Sequence, residues 1–281
     1  MTENDITPVQ EIGGIYFKRD DLYRPFGAGE VNGGKLRQCM MLVKEAMESE
    51  PGLKGVITYC SIHSPQAPIT AAVARDLGID CIVMYGGTSR QNVFREQMPR
   101  LVMSYGGKVE IPAKTGRHNV LKAKAQKLAK DNGYFLVQYG INLDGHGSVL
   151  LGAVAEQVQN IPDDLDNLYV TCGSGITASG IMIGLERYGK RVENVHLCAT
   201  AYSRTDSIHK TLKMYGADRE FIYHDMFHQP GFQYEKKQKM RVGGVLLHPQ
   251  YEAKTMKYLK EKRLIKGRSL FWVVGAEPGE R

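Results

Sequence analysis

The sequence predicts an α/β protein built from two open, twisted parallel-sheet α/β/α layers, with a ligand cleft between them at the carboxyl ends of the strands. Three observations carry this reading. From Gly55 to Tyr139, short β-branched runs alternate with helical stretches at the spacing of parallel βαβ units. A second series of the same kind follows Gly147. Neither an internal repeat nor a low-complexity linker divides the two, so both series share one chain and ligands are expected where strand ends meet.

The elements follow in order. "GVITYC" (55–60) is rich in β-branched residues and reads as a strand. "APITAAVARDLG" reads as a helix that stops at Gly78, where glycine relieves the left-handed turn of a helix end. "DCIVMYGG" is the next strand, and "QNVFREQMPRLVMSYGG" reads as one helix closed by glycines. "KVEIP", "NVLKAKAQKLAKDNG" and "YFLVQYG" continue as strand, helix and strand. In the second series "GSVLLGAVAEQVQNI" is an amphipathic helix, "NLYVTC" a buried strand, "ASGIMIGLERYG" a helix and "NVHLCATA" a strand. After a less regular stretch come the helix "QYEAKTMKYLKEKRLI" and the strand "SLFWVV".

Composition narrows the function classes. The 281 residues are 42% hydrophobic and 24% charged, ordinary for a globular chain with a proper core. No apolar run is long enough to cross a bilayer, and "MTENDITPVQ" lacks the charged-then-apolar pattern of a signal segment. Cys39, Cys60, Cys81, Cys172 and Cys198 are scattered without a CxxC pair, which suits a reducing cytoplasm. The net charge of +7 admits an anionic partner such as nucleic acid, or simply a solvated surface. "EKKQKMR" and "KYLKEKRLIKGR" are the dense basic runs.

Two stretches carry chemistry. "VNGGKLRQC" places Lys35 after a flexible turn and at the mouth of an apolar helix. "TCGSGITASGIMIGL" ends a strand at Cys172 and opens a helix near Thr177. Its glycines expose backbone N–H groups at a positive helix end, the design of a phosphate cradle, with Ser174 and Thr177 adding hydroxyls. Alone, that turn is equally a tight βα connection with a Thr cap. It lacks the lysine of a P-loop and full GxGxxG spacing, so neither ATP nor a dinucleotide is favoured. A phosphate cradle together with a specially presented lysine points to pyridoxal 5'-phosphate, whose aldehyde a lysine amine captures as a Schiff base.

"FKRDDL", "NGGKLRQ", "SPQAPITAAVARDLG", "CGSGITASGIMIGL" and "GGVLLHPQYEAKTMKYL" occur in that order. Together they resemble the fold-type II (tryptophan synthase beta-like) pyridoxal-phosphate enzymes, in the branch of 1-aminocyclopropane-1-carboxylate deaminase and D-cysteine desulfhydrase. The resemblance runs from Phe17 almost to the C-terminus, ending in "SLFWVVGAEPG". It implies a large cofactor-binding domain of residues 1–47 and 146–281 and a small domain of 48–145.

The resemblance assigns Lys35 as the Schiff-base lysine, although the family usually reads Gly-Gly-Asn-Lys where this chain has Asn-Gly-Gly-Lys. Lys35, Ser64 and Tyr251 are the implied catalytic residues. Lys35, Gln66, Gly173, Ser174, Gly175, Ile176, Thr177 and Glu252 are the implied cofactor-binding ones. Ser64 and Gln66 match the Ser-Asn-His/Gln turn beneath the ring. Pro65 replaces the asparagine that usually bonds the ring hydroxyl, and Cys60–Ser61 offers an alternative register. Where the family reads Asp-Pro-Val-Tyr, this chain reads "HPQY", followed by Glu252 at the position facing the pyridine nitrogen. A glutamate there leans towards the deaminases. Without the rest of the pattern, "YEAK" is a plain helix start with an acid near its dipole.

Residues 220–245 match poorly, which implies a different or more open substrate pocket. His224 and His228 have a metal-pair spacing, but Pro230 and Gly231 argue against a regular helix, and no metal is expected. His63 neighbours the Ser64 turn and is read as a loop histidine or a proton shuttle. The expected activity is that of a cytoplasmic, homodimeric lyase or deaminase acting on a small amino acid or amine, with hydrolytic release of ammonia and a keto acid. Two alternatives stand beside it: an enzyme for an amino-acid adduct of a modified nucleic acid, and a cofactor-binding relative without turnover.

Overall fold

The protein is described here by a computed structural model covering residues 2, 4–87, 89–113, 116–143, 145–233 and 236–279. It contains two compact units, Met1–Gly34 with Gly147–Arg281, and Lys35–His146. Both have the α/β architecture with parallel sheets that the sequence predicts.

The chain opens with the hairpin β1 (Val9–Ile12) and β2 (Ile15–Arg19). Gly13 and Gly14, at φ 59° and 78°, form the two-residue turn between them, a geometry that only glycine adopts without strain. A single helical turn at Asp20–Leu22 leads on towards α1 (Gly34–Ser49).

The unit of residues 35–146 contains β3 (Gly55–Tyr59), α2 (Gln66–Asp76), β4 (Asp80–Gly86), α3 (Arg90–Arg95), α4 (Gln97–Ser104), β5 (Lys108–Ala113), α5 (His118–Asn132) and β6 (Phe135–Val137). Its parallel sheet runs β5-β4-β3-β6. The period of two sends Ile57, Tyr59, Ile82 and Met84 onto α5, where Leu121, Ala125 and Ala129 receive them.

Two elements of this unit differ from the sequence reading. The single helix expected over 91–107 breaks at Glu96, whose φ of −80° and ψ of 148° are extended. Pro99 explains the break: it has no N–H for the carbonyl four residues back, and its ring collides with that carbonyl, so α3 ends at Arg95. The strand expected over 134–140 pairs only at 135–137. Its tail leaves the sheet and bonds side chains of the candidate site.

The other unit adds α6 (Gly147–Ala155), β7 (Leu165–Cys172), α7 (Ile176–Arg187), β8 (Val192–Ala199), α8 (Thr205–Met214), β9 (Ile222–Asp225), β10 (Arg241–Val242), β11 (Val245–Leu246), α9 (Glu252–Glu261) and β12 (Ser269–Val273). The sheet order is β1-β2-β12-β7-β8-β9, parallel except for the opening hairpin. Central β12 is buried throughout, and Phe271 joins Phe17, Tyr169, Met256 and Leu259 in the core. Helices α6 and α7 approach closely because Gly184 has no side chain; a Cβ there would lie 2.7 Å from the Ala155 carbonyl oxygen. No helix among the described residues is long and apolar enough to cross a membrane.

Candidate active site

The turn before Lys35 is built for one residue type. Gly33 has φ 90°, and a Cβ on it would stand 2.4 Å from the Val274 carbonyl oxygen. Its amide donates to Tyr23 O at 3.0 Å, and the Gly34 amide donates to Val274 O at 2.9 Å. Asn32 closes the turn, its Oδ1 accepting from the Ala276 amide at 2.8 Å. Lys35 therefore starts the helix from a fixed point.

The Lys35 side chain is partly buried, and its Nζ donates to Gly140 O at 3.3 Å. Desolvation by burial is the main cause that lowers its pKa to about 8; Cys60 and Cys39 oppose it weakly. Burial drives both thiols up to about 12, so they are neutral neighbours at physiological pH.

Gln66 explains why the lysine stays there. Its Nε2 donates to Thr58 Oγ1 and to Gln138 O, both at 2.8 Å, and its Oε1 accepts from the Gly140 amide at 2.6 Å. Both amide hydrogens are thus used inside the unit, and the residue holds the carbonyl that receives Lys35. Ser64 caps the same region: its Oγ accepts from the Gln66 amide at 3.3 Å. Pro65 sits at the start of α2 with φ −67°, where a missing N–H costs nothing. His63 lies half exposed, 3.5 Å from Glu96.

The unit of residues 1–34 and 147–281 holds, by itself, the other sequence-predicted candidates. Strand β7 ends at Cys172, Gly175 takes φ 87°, and α7 starts at Ile176. The space over Gly173 is open, with nothing within 4 Å of an added Cβ. Ser174 is exposed and Thr177 half-buried on this positive helix end.

Glu252 opens α9 at 2% exposure. Its Oε1 accepts from the Val274 amide at 3.0 Å, whereas Oε2 is buried without a partner. Burial pushes this carboxyl up to about 8, so it is largely protonated at neutral pH. Val274 also receives Gly34, so one backbone residue ties the glutamate to the turn that precedes the lysine. Tyr251 is half-buried, its ring 4.7 Å from that of His248.

These features fit pyridoxal phosphate on physical grounds. Oε2 of Glu252 needs a hydrogen-bonding partner, which a pyridine nitrogen provides. An amine with a pKa near 8 attacks aldehydes readily. At Gly173 the turn has open space over its backbone, where an anion can approach, whereas Gly175 packs against Ile208. Among the described residues no three His, Cys, Asp or Glu side chains gather as a metal site. His224 instead contacts His196 at 2.9 Å, and His228 contacts Asp225 at 2.7 Å.

Sequence reasoning missed two contributors. Gly140 and Val274 act through backbone atoms, which carry no residue-type signal. Gln66 was a candidate in the sequence, but its hold on Gln138 and Gly140 depends on partners 72 and 74 residues away.

Comparison with known proteins bears on the family and the fold. A family model described as "Pyridoxal-phosphate dependent enzyme" matches residues 4–225. The O-seryl-dTMP PLP-dependent decarboxylase of Salmonella phage ViI is 25% identical, over 94% of this chain and 78% of that protein. A candidate 1-aminocyclopropane-1-carboxylate deaminase of Pyrococcus furiosus is 28% identical over 74% of this chain and 62% of its own length. Among solved structures, a 1-aminocyclopropane-1-carboxylate deaminase homologue superposes with TM-score 0.76 at 22% identity, covering 98% of this chain and 90% of the other. Threonine deaminase isoform 2 of Solanum lycopersicum gives 0.68 at 16% identity, covering 96% and 84%. These two likenesses show the fold.

Proposed function

We infer the activity from one premise: the chain belongs to the pyridoxal-phosphate-dependent enzymes. On that premise it acts at the α-carbon of an amino acid. Lys35 would hold the cofactor aldehyde, the turn Gly173 to Thr177 its phosphate, and Glu252 Oε2 its ring nitrogen. When bound, the cofactor withdraws electrons from the α-carbon and so stabilises a carbanion there.

The chain's own groups do the rest. The Lys35 amine, with its pKa near 8, is partly neutral at physiological pH and can take or return a proton at the α-carbon. Gln66 keeps that amine placed through Gly140. Ser64 Oγ and the Tyr251 hydroxyl are the further proton-handling groups, each able to contribute roughly 10²–10⁴-fold in rate. Glu252 supplies a proton or a charge to whatever faces its second oxygen. Pro65 brings no polar side chain and so would offer the cofactor's ring hydroxyl no hydrogen bond.

The observation that carries this reading is the partly buried Lys35 amine, lowered in pKa and held on Gly140. The test is the visible absorption of the purified protein, then borohydride reduction and peptide mapping. A reduced adduct on Lys35, lost together with activity in Lys35→Ala, is expected. Unchanged absorbance and activity in that variant would reject the assignment.

For the substrate, an amino acid carried on a nucleotide is favoured. Two observations support it: the match to the phage decarboxylase across 94% of this chain, and the basic segment of Lys236, Lys237, Lys239 and Arg241. A free small amino acid, processed to a keto acid and ammonia, is the competing reading, supported by the Pyrococcus furiosus relative. Supplying seryl nucleotide and free amino acids in parallel, and measuring carbon dioxide, ammonia and keto acid, separates the two.

A further inference from the structure

We propose that His248 is the hydrogen-bond donor of a phosphate subsite in the larger unit, binding a phosphate oxygen of the nucleotide that carries the substrate amino acid. This rests on the nucleotide reading above and adds a binding residue to it.

The backbone sets the stage. Beyond the paired β10 and β11, the hairpin continues: Leu247 N donates to Met240 O at 3.1 Å, and Gln238 N to Pro249 O at 2.9 Å. The strap holding Lys236, Lys237, Lys239 and Arg241 therefore runs antiparallel to the segment that holds His248. Here the sequence has a histidine where the resembled family has an aspartate.

His248 is 5% exposed. Its Nδ1 accepts the Gln250 amide at 3.3 Å, which leaves the ring proton on Nε2. That N–H is buried and has no partner. A buried donor left unpaired is costly, and native folds keep few of them. An acceptor oxygen from a ligand removes the cost.

The surrounding charges select an anion. Burial, then Lys237 and Lys254, hold the imidazole pKa at about 3, so the ring stays a neutral donor throughout the working range. Lys237 pairs with Glu277 at 2.7 Å, and Lys254 donates to Gln233 O at 2.6 Å. Each ammonium favours a negative ligand at His248, Lys237 less so because the Glu277 carboxylate faces it. The imidazole also packs on the Tyr251 ring, next to Glu252. An aspartate at this position would repel a phosphate; a neutral N–H beside two lysines accepts one.

The experiment uses the cofactor-loaded enzyme, so that the turn at Gly173 is already filled. Thymidine 5'-monophosphate, a short oligothymidylate, inorganic phosphate and thymidine are titrated calorimetrically into wild type, His248→Asp and His248→Gln. Unfolding midpoint and cofactor absorbance confirm that each variant is folded and loaded. The expected result is that His248→Asp weakens mononucleotide or oligonucleotide binding about tenfold or more, a typical effect of an unfavourable buried charge. His248→Gln, which keeps a side-chain N–H, stays within about threefold of wild type. Thymidine binding does not change, and the His248 Nε2 proton resonance moves when nucleotide is added. Which phosphate ligand responds most shows whether the source is a free nucleotide, a nucleic acid or phosphate alone. Equal nucleotide affinity in wild type and His248→Asp overturns the subsite and leaves the Lys35 chemistry intact. No nucleotide binding by wild type overturns both the subsite and the nucleotide reading. Loss of cofactor binding in the Lys35 experiment is a separate failure, of the activity itself.

Discussion

Glu252 accepts from the Val274 amide with one oxygen and leaves the other buried without a partner, and its behaviour follows from that imbalance. Its folded-state pKa of about 8 lies above the ordinary value of 4.5, so between these limits the folded protein binds more protons than the unfolded chain. Burial favours the protonated carboxyl over the ionised one. Stability from this group is therefore fully present below about pH 4.5 and falls as pH rises towards 8, by up to about 1.4 kcal/mol per pH unit. In ligand-free protein, Glu252→Gln should flatten the decline in urea midpoint between pH 5 and pH 8. Equal slopes in the two proteins would show that the carboxyl is not held neutral. Lys35 moves the other way: its pKa is lowered from 10.5 to about 8, so its amine becomes reactive near neutrality. Cofactor capture by the free protein should rise with pH to a half-point near 8, read from the growth of visible absorbance.

The elements that present these residues are short turns with little tolerance. Gly33 combines φ 90° with a carbonyl 2.4 Å from where a Cβ would stand. Gly33→Ala should displace the start of α1 and lower cofactor affinity, with a stability loss of about 1–3 kcal/mol in denaturant titration. Unaltered affinity would mean that the turn is not what positions Lys35. Gln66 ties α2 to β3 and to the tail of β6. Gln66→Leu strands the Gly140 amide and should cost about 1–3 kcal/mol while raising the dissociation constant for cofactor. The strongly periodic strands and helices were legible in the sequence because burial imposes a period there. The break at Pro99 had a visible cause, but a long apolar helical pattern masked it. The strap opposite Leu247 to Gln250 was not legible: its pairing lies in backbone amides, and its residues are polar and irregular. Among the candidate residues, Lys35 and the Gly173 turn stood out in the sequence through glycine placement. The orphan oxygen of Glu252 is a product of burial, which no local pattern encodes.

At the scale of the molecule, residues 35–146 form a unit inserted into another that begins before them and resumes after them. The last strand, β12, lies between β2 from the start of the chain and β7 from its middle. Val274, just past β12, holds both Glu252 and Gly34. The environment of Glu252 thus depends on the C-terminal segment being in place. The excess of 37 basic over 30 acidic residues gives the molecule a charge of +7, and several of those lysines lie on the strap beside His248. A substrate bearing phosphate feels that field, whereas a zwitterionic amino acid scarcely does. With a seryl nucleotide as substrate, KM should rise severalfold between about 50 and 200 mM salt while kcat holds steady, because added ions screen the encounter and compete for the phosphate. The same steady-state measurement with free serine should give a KM nearly independent of salt. If both substrates respond alike, the positive charge serves solubility and the substrate is a small amino acid.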